Sequence, residues 1–165
     1  MTPSFGLRPT VLYFSLAVLS ACSTPDGAKA RRPPVTLYDA TLAERLGADD
    51  YGMRSYVFVL LKTGPVIIDD PLRRKELFAG HFRNMERLAE QDALVLAGPL
   101  SDDRDTRGLF ILNAESLDDA QAIVQPDPAI GAGILRAEFS SYYGTAILME
   151  MNKLHKRVQR KGITE

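Results

Sequence analysis

Apolar positions along the chain fall into short β-rich runs and one long helical pattern. Ser55–Leu61 (SYVFVLL) is a run of the kind that forms a buried strand, and Thr63–Pro65 breaks it. Leu94–Ala97 (LVLA) is a second strand closed by Gly98 and Pro99. Gly108–Asn113 (GLFILN) is a third, preceded by the polar loop Ser101–Thr106. Ile134–Tyr143 alternates partially and ends at Gly144, which makes it a fourth. Between the first two strands, helical spacing runs from about Pro71 to Gln91, with Asp70 as N-cap and Pro71 at the first helical position. A shorter helix runs to about Val124 from Ser116 and Asp119, which have capping-box-like spacing. Gln125–Pro128 interrupts it, and Pro128–Gly131 reads as one further helical turn.

The order β-α-β-β-α-β, with two crossovers, predicts an α+β sandwich of ferredoxin-like form over residues 53–146, with both helices on one face of the sheet. Val57, Val59, Leu94, Leu96, Phe110 and Phe139 are more apolar side chains than two helices cover, so the other face is expected to be bare. A bare apolar sheet face asks for a partner, and the expectation is a homodimer joined sheet to sheet.

Upstream the pattern changes. In residues 1–21, Arg8 and the amino terminus supply positive charge ahead of the mostly apolar stretch Pro9–Leu19. That stretch is shorter than the ~20 residues a transmembrane helix needs, but it has the size of a signal-peptide core. It ends in Leu19-Ser20-Ala21-Cys22, which resembles the bacterial lipobox. Small residues at 20 and 21 let extended backbone enter a narrow peptidase site, and the Cys22 thiol accepts the lipid. The resemblance implies cleavage before Cys22 and stable anchoring by several acyl chains. An ordinary secretory signal with a chance cysteine, or an uncleaved anchor, are the alternatives. Ser23, by resemblance to enterobacterial sorting, favours the outer membrane, on the periplasmic side. Residues 22–52 read as a polar linker marked by Pro25, Gly27, Arg31, Arg32, Pro33 and Pro34. Within it, Asp39–Gly47 has room for one or two helical turns, with Thr41 and Glu44 at capping-box spacing. Residues 147–165 form a basic tail with Lys153, His155, Lys156, Arg157, Arg160 and Lys161. It reads as a solvated, frayed helix or as a contact for anionic lipid or another envelope polymer.

Composition narrows the chemistry. A net charge of −1 over 165 residues excludes a global basic field for nucleic acid. A single cysteine excludes an intrachain disulfide, and one cysteine with two distant histidines argues against a zinc site of the usual kind. No cofactor is expected; Gly131–Gly133 is not a dinucleotide fingerprint.

On a helical wheel of the long helix, Phe78, Phe82, Met85 and Ala89 centre the apolar arc, with Leu88 at its side. His81 borders or enters that face, while Arg73, Arg74, Lys75, Glu86 and Arg87 fall elsewhere. A half-buried imidazole needs a partner for its ring N–H, and Asp127, between Pro126 and Pro128, is a candidate. A carboxylate so placed fixes the tautomer and leaves the far nitrogen free as a general base or acid.

The stretches His81–Gln91, Leu94–Leu100, Arg107–Leu112 and Asp127–Gly133, in this order and spacing, resemble the YciI-related (YCII) family over roughly residues 53–146. The resemblance implies a dimeric ferredoxin-like fold and a pocket with a His–Asp pair, which falls here on His81 and Asp127. Relatives include a dehydrochlorinase acting on a chlorinated hydroxyquinol, and the fold resembles muconolactone isomerase. Many relatives are bare cytoplasmic domains, whereas this chain carries a lipid signal and a basic tail. Gly98 and Pro99 are expected as a pocket wall, Arg107 as a contact for an anionic substrate, and Tyr143 as a lining residue. Each also has a purely structural reading: a turn, a solvated arginine, a packing aromatic. His81 also has a reading as a satisfied core-edge residue, and Asp127 as a cap for its turn. Asp102, Asp103 and Asp105 form either a solvated loop or a weak cation site. Two functions remain open: a metal-free acid–base enzyme for elimination, isomerisation or hydrolysis of a small molecule, and a tethered binding protein without turnover.

Overall fold

The computed structural model describes residues 38–101 and 105–164. The expected signal segment, Cys22, the linker up to residue 37, and Asp102 and Asp103 lie outside the described residues.

Strands β1 (Met53–Thr63), β2 (Leu94–Pro99), β3 (Thr106–Leu112) and β4 (Leu135–Thr145) form one antiparallel sheet in the order β2-β3-β1-β4. Helix α2 (Pro71–Glu90) crosses from β1 to β2, and α3 (Leu117–Val124) with α4 (Pro128–Gly131) crosses from β3 to β4. This is the ferredoxin-like α+β order expected. The caps fall where the sequence places them. Asp70 accepts from the Leu72 and Arg73 amides, and Ser116 accepts from that of Asp119.

Residues that alternate along β1 separate the two faces. Val57, Val59 and Leu61 enter a core with Leu88 of α2, Ala120 and Val124 of α3, and Phe110 and Leu112 of β3. Tyr56 points the other way, into a second cluster with Val95 and Ile111. This parity corrects the expectation of the bare face. Of the six residues named for it, Val57, Val59, Leu94, Phe110 and Phe139 all belong to the core cluster. Only Leu96, 36% exposed and paired with the outward Ile111, lies on the outer face.

The outer face is also partly covered. A 3-10 turn (Ala146–Glu150) places Leu148 and Met149 against Tyr56, Val95 and Ile111. Helix α5 (Met151–His155) follows, and the Asn152 side-chain amide donates to the carbonyls of Ala89 (3.2 Å) and Leu94 (2.9 Å). The first part of the basic tail is therefore packed. At the other end, α1 (Ala40–Leu46) is folded within the expected linker and buries Leu46. Its cap is Asp39, which accepts from the Leu42 amide at 2.9 Å, and not the Thr41–Glu44 box. Arg54 ties α1 to the sheet by donating to the Leu46 carbonyl (2.9 Å) and to Asn113 (2.7 Å). Among the described residues no helix is long and apolar enough to cross a membrane.

Candidate functional site

Antiparallel pairing gathers four strand ends at one edge of the sheet. Leu61 of β1 lies opposite Gly108 of β3, Pro99 of β2 opposite the same glycine, and Thr63 of β1 opposite Leu135 of β4. Helix α2 passes over this edge, and a cavity of about 580 Å³ opens beneath it. A space of that size is in the range of small-molecule sites.

The cavity explains why the apolar arc of α2 is not its most buried face. Leu77, Gly80, His81 and Leu88 are the buried positions. Phe78, Phe82 and Met85 are only half-buried, because each lines the cavity, Phe78 and Met85 also packing against the core. The expected centre of the arc is thus a pocket wall, and the helix packs through the neighbouring stripe.

His81, 5% exposed, sits where the two stripes meet. Its Nδ1 is 2.8 Å from Oδ2 of Asp127, which is itself 1% exposed. Two prolines and a cap hold that carboxylate. Asp127 has extended backbone ahead of Pro128 at the first position of α4, and its Oδ1 accepts from the amides of Ala129 (3.0 Å) and Ile130 (3.3 Å). Oδ2 also accepts from the Asn84 amide at 3.2 Å. The Asn84 oxygen in turn accepts from Arg87 at 2.7 Å. Burial pushes the Asp127 carboxyl up. The hydrogen bond and charge of His81, the Ile130 amide and the Asn84 amide outweigh it and hold the group below its ordinary value.

Because Asp127 takes Nδ1, the ring's Nε2 points away from the carboxylate. His81 lines the cavity, and no buried side-chain nitrogen or oxygen among the described residues lacks a partner. Nε2 is therefore accessible from the cavity. The ring is held by aromatic neighbours: Phe110 stacks at 6.0 Å, Phe82 is tilted at 5.5 Å, and Phe78 meets it edge-on at 6.2 Å. A carboxylate-oriented imidazole with one nitrogen facing an apolar space can take a proton from a bound molecule and return it.

The structure brings Gly98, Pro99 and Arg107 to the cavity wall. Arg107 Nε donates to the Thr63 hydroxyl oxygen at 2.7 Å. Tyr143 is not there, which corrects the expectation for it. It lies at the far end of β4 opposite Ser55, is 53% exposed, and donates its hydroxyl to Asp49. Asp105 meets cations of the protein itself, Lys62 at 3.8 Å and Arg136 at 4.0 Å. No group of three or more His, Cys, Asp or Glu that could hold a metal occurs among the described residues.

Sequence reasoning missed Asn84, Arg74, Phe110 and Ile163 as members of the site. Asn84 carried a usable signal, since it lies three residues after His81 and shares its side of the helix. Ile163 carried none, because it reaches the cavity from the tail.

Residues 57–138 match the YCII-related domain. The uncharacterized protein YjpA of Bacillus subtilis (strain 168) is 36% identical over 59 residues, which cover 36% of this chain and 67% of YjpA. Among solved structures, 5-chloro-2-hydroxyhydroquinone dehydrochlorinase from Burkholderia phenoliruptrix AC1100, in complex with 2,5-dihydroxybenzoquinone, is similar at 24% identity with a TM-score of 0.36, over 52% of this chain and 90% of that one. From the domain match and the identity to YjpA, the chain belongs to the YCII-related domain family.

Proposed function

We propose that this protein is an acid–base enzyme working without metal or cofactor on a small molecule seated beneath α2. His81 moves the proton and Asp127 orients His81. Nε2 takes a proton from the bound molecule or from a water beside it, while Nδ1–H remains with Asp127. The imidazolium then returns the proton to a leaving group or to another atom of the product. Elimination, isomerisation and hydrolysis all fit this step. The observation that supports it is the 2.8 Å bond between two buried groups, with the other ring nitrogen on the cavity side.

A second reading is capture without turnover. It is favoured by a lining that is mostly hydrocarbon and, among the described residues, holds one imidazole and no carboxylate. The test is a substrate screen of the protein with His81→Ala and Asp127→Asn. The enzyme reading expects product from the parent and a loss of about 100-fold or more with either change. Activity that survives both changes contradicts it. Thermal stabilisation by a compound that is never converted supports capture.

The setting we propose is the cell envelope, with the domain tethered through a lipid on Cys22, on the outer membrane's periplasmic side. Support comes from the lipobox-like Leu19–Cys22. We also propose a homodimer through the outer sheet face, supported by the exposed Leu96 beside the half-buried Phe58, Leu60 and Leu109.

A further inference from the structure

We infer that the ligand of this cavity is an organic carboxylate: an aromatic or short aliphatic body in the apolar floor, with its anionic head on Arg74 and Arg107. This rests on the reading of the cavity as a ligand site, and narrows it to one class.

Two features of the lining carry the inference. The floor is hydrocarbon, made by Leu61, Phe78, Phe82, Met85, Phe110 and Leu135. The charged groups of the lining are two guanidiniums, Arg74 and Arg107, and among the described residues it holds no carboxylate. In the first turns of α2, Arg73 is engaged by Glu76 at 3.2 Å. Arg74 has no carboxylate partner among the described residues, and its guanidinium lies over the Phe78 ring at 5.7 Å, at the cavity wall. Across the mouth, the Thr63 hydroxyl donates to the Asp105 carbonyl (3.3 Å) and accepts from Arg107 Nε (2.7 Å). That pair of bonds fixes the plane in which the Arg107 fork is presented.

A neutral apolar guest would fill the floor and leave two cations beside it without a counter-charge. A small inorganic anion would meet the cations and leave the floor empty. An amphiphilic carboxylate satisfies both, since the guanidinium fork matches carboxylate geometry. It would also bring the carbon skeleton into the cavity that His81 lines.

The experiment measures binding of phenylacetate and 4-phenylbutyrate, and of their primary amides, to the full chain by calorimetry and thermal shift. The expected result is that the acids bind and the amides bind at least tenfold more weakly. Arg74→Gln and Arg107→Gln should each weaken the acids about tenfold, the double variant should abolish their binding, and added salt should weaken it further. Circular dichroism and the melting temperature report whether the variants are folded. His81→Ala should weaken acid binding less than either arginine substitution, which separates the anionic contact from the catalytic reading. Acid binding without turnover in any screen leaves the inference standing and sinks the enzyme. Equal binding of acids and amides, binding that survives the double substitution, or no binding of either acid at millimolar concentration overturns the inference and leaves the His81–Asp127 proposal untouched.

Discussion

Gly80 of α2 lies directly against Pro128 of α4: a Cβ at Gly80 would come within 2.8 Å of the proline Cγ. The close approach sets the distance between the neighbours of these two residues, His81 and Asp127. A larger residue at position 80 pushes α4 away and lengthens the bond that orients the imidazole. Two effects of Gly80→Ala oppose each other here. Helix propensity favours alanine by about 1 kcal/mol, whereas overpacking against a rigid ring costs about 1–3 kcal/mol. We expect packing to win and the melting temperature to fall. A rise in denaturant midpoint would show that α2 and α4 separate without cost.

Asp127 makes stability pH-dependent with a definite sign. Its carboxyl is held below its ordinary value in the folded protein, so its contribution is fully present above the unfolded value. It is lost as pH falls through the folded one. Urea midpoints of the parent should therefore decline below about pH 4. Asp127→Asn keeps a capping oxygen for Ala129 and Ile130 but loses the charged acceptor for His81. We expect it to cost about 2 kcal/mol at neutral pH. The gap to the parent should narrow on acidification; a gap that is constant down to pH 3 contradicts the role given to the charge.

Asn84 stands between Arg87 and Asp127, with its amide direction fixed by the arginine. Asn84→Ala removes one donor from Oδ2 and should cost about 1 kcal/mol. Asn84→Asp sets a carboxylate against a carboxylate, which is unfavourable while both are ionised. The aspartate variant should be less stable than the alanine variant at pH 7, and the difference should shrink by pH 4. Equal stability of the two variants at pH 7 would mean that position 84 does not act on Asp127.

Asn152 anchors the C-terminal segment by donating to the carbonyls of Ala89 and Leu94 at the turn between α2 and β2. Asn152→Ala should raise amide hydrogen exchange across the segment Ala146–His155 while leaving β1 protected. Unchanged exchange there would show that Leu148 and Met149 hold the segment without it.

Much of this fold is legible from local chemistry. The four strands, the Asp70–Pro71 and Asp127–Pro128 helix starts and the Ser116 cap each depend on residues within a few positions of one another. His81 is legible as well, because its angle on α2 follows from helical spacing alone. What sequence does not display is register. Val95 and Leu96 are adjacent, yet both lie on the outer face, at an irregularity between Leu94 and Leu96. Which strand residues share a face, and hence the number left bare, depends on pairing between strands. The same holds for Tyr143. It ends the fourth apolar run, where a pocket residue is expected, but antiparallel pairing puts its end of β4 at the edge away from the cavity.

The account depends on Asp127 holding the His81 imidazole with its Nδ1 protonated and Nε2 open to the cavity. The chain has two histidines, His81 and His155, so nitrogen-15 NMR of the imidazoles resolves the question with one assignment variant. In its neutral form, His81 should show a single tautomer with the proton on Nδ1, and Asp127→Asn should abolish that preference. A proton on Nε2 in the parent, or a tautomer mixture unchanged by Asp127→Asn, would contradict it.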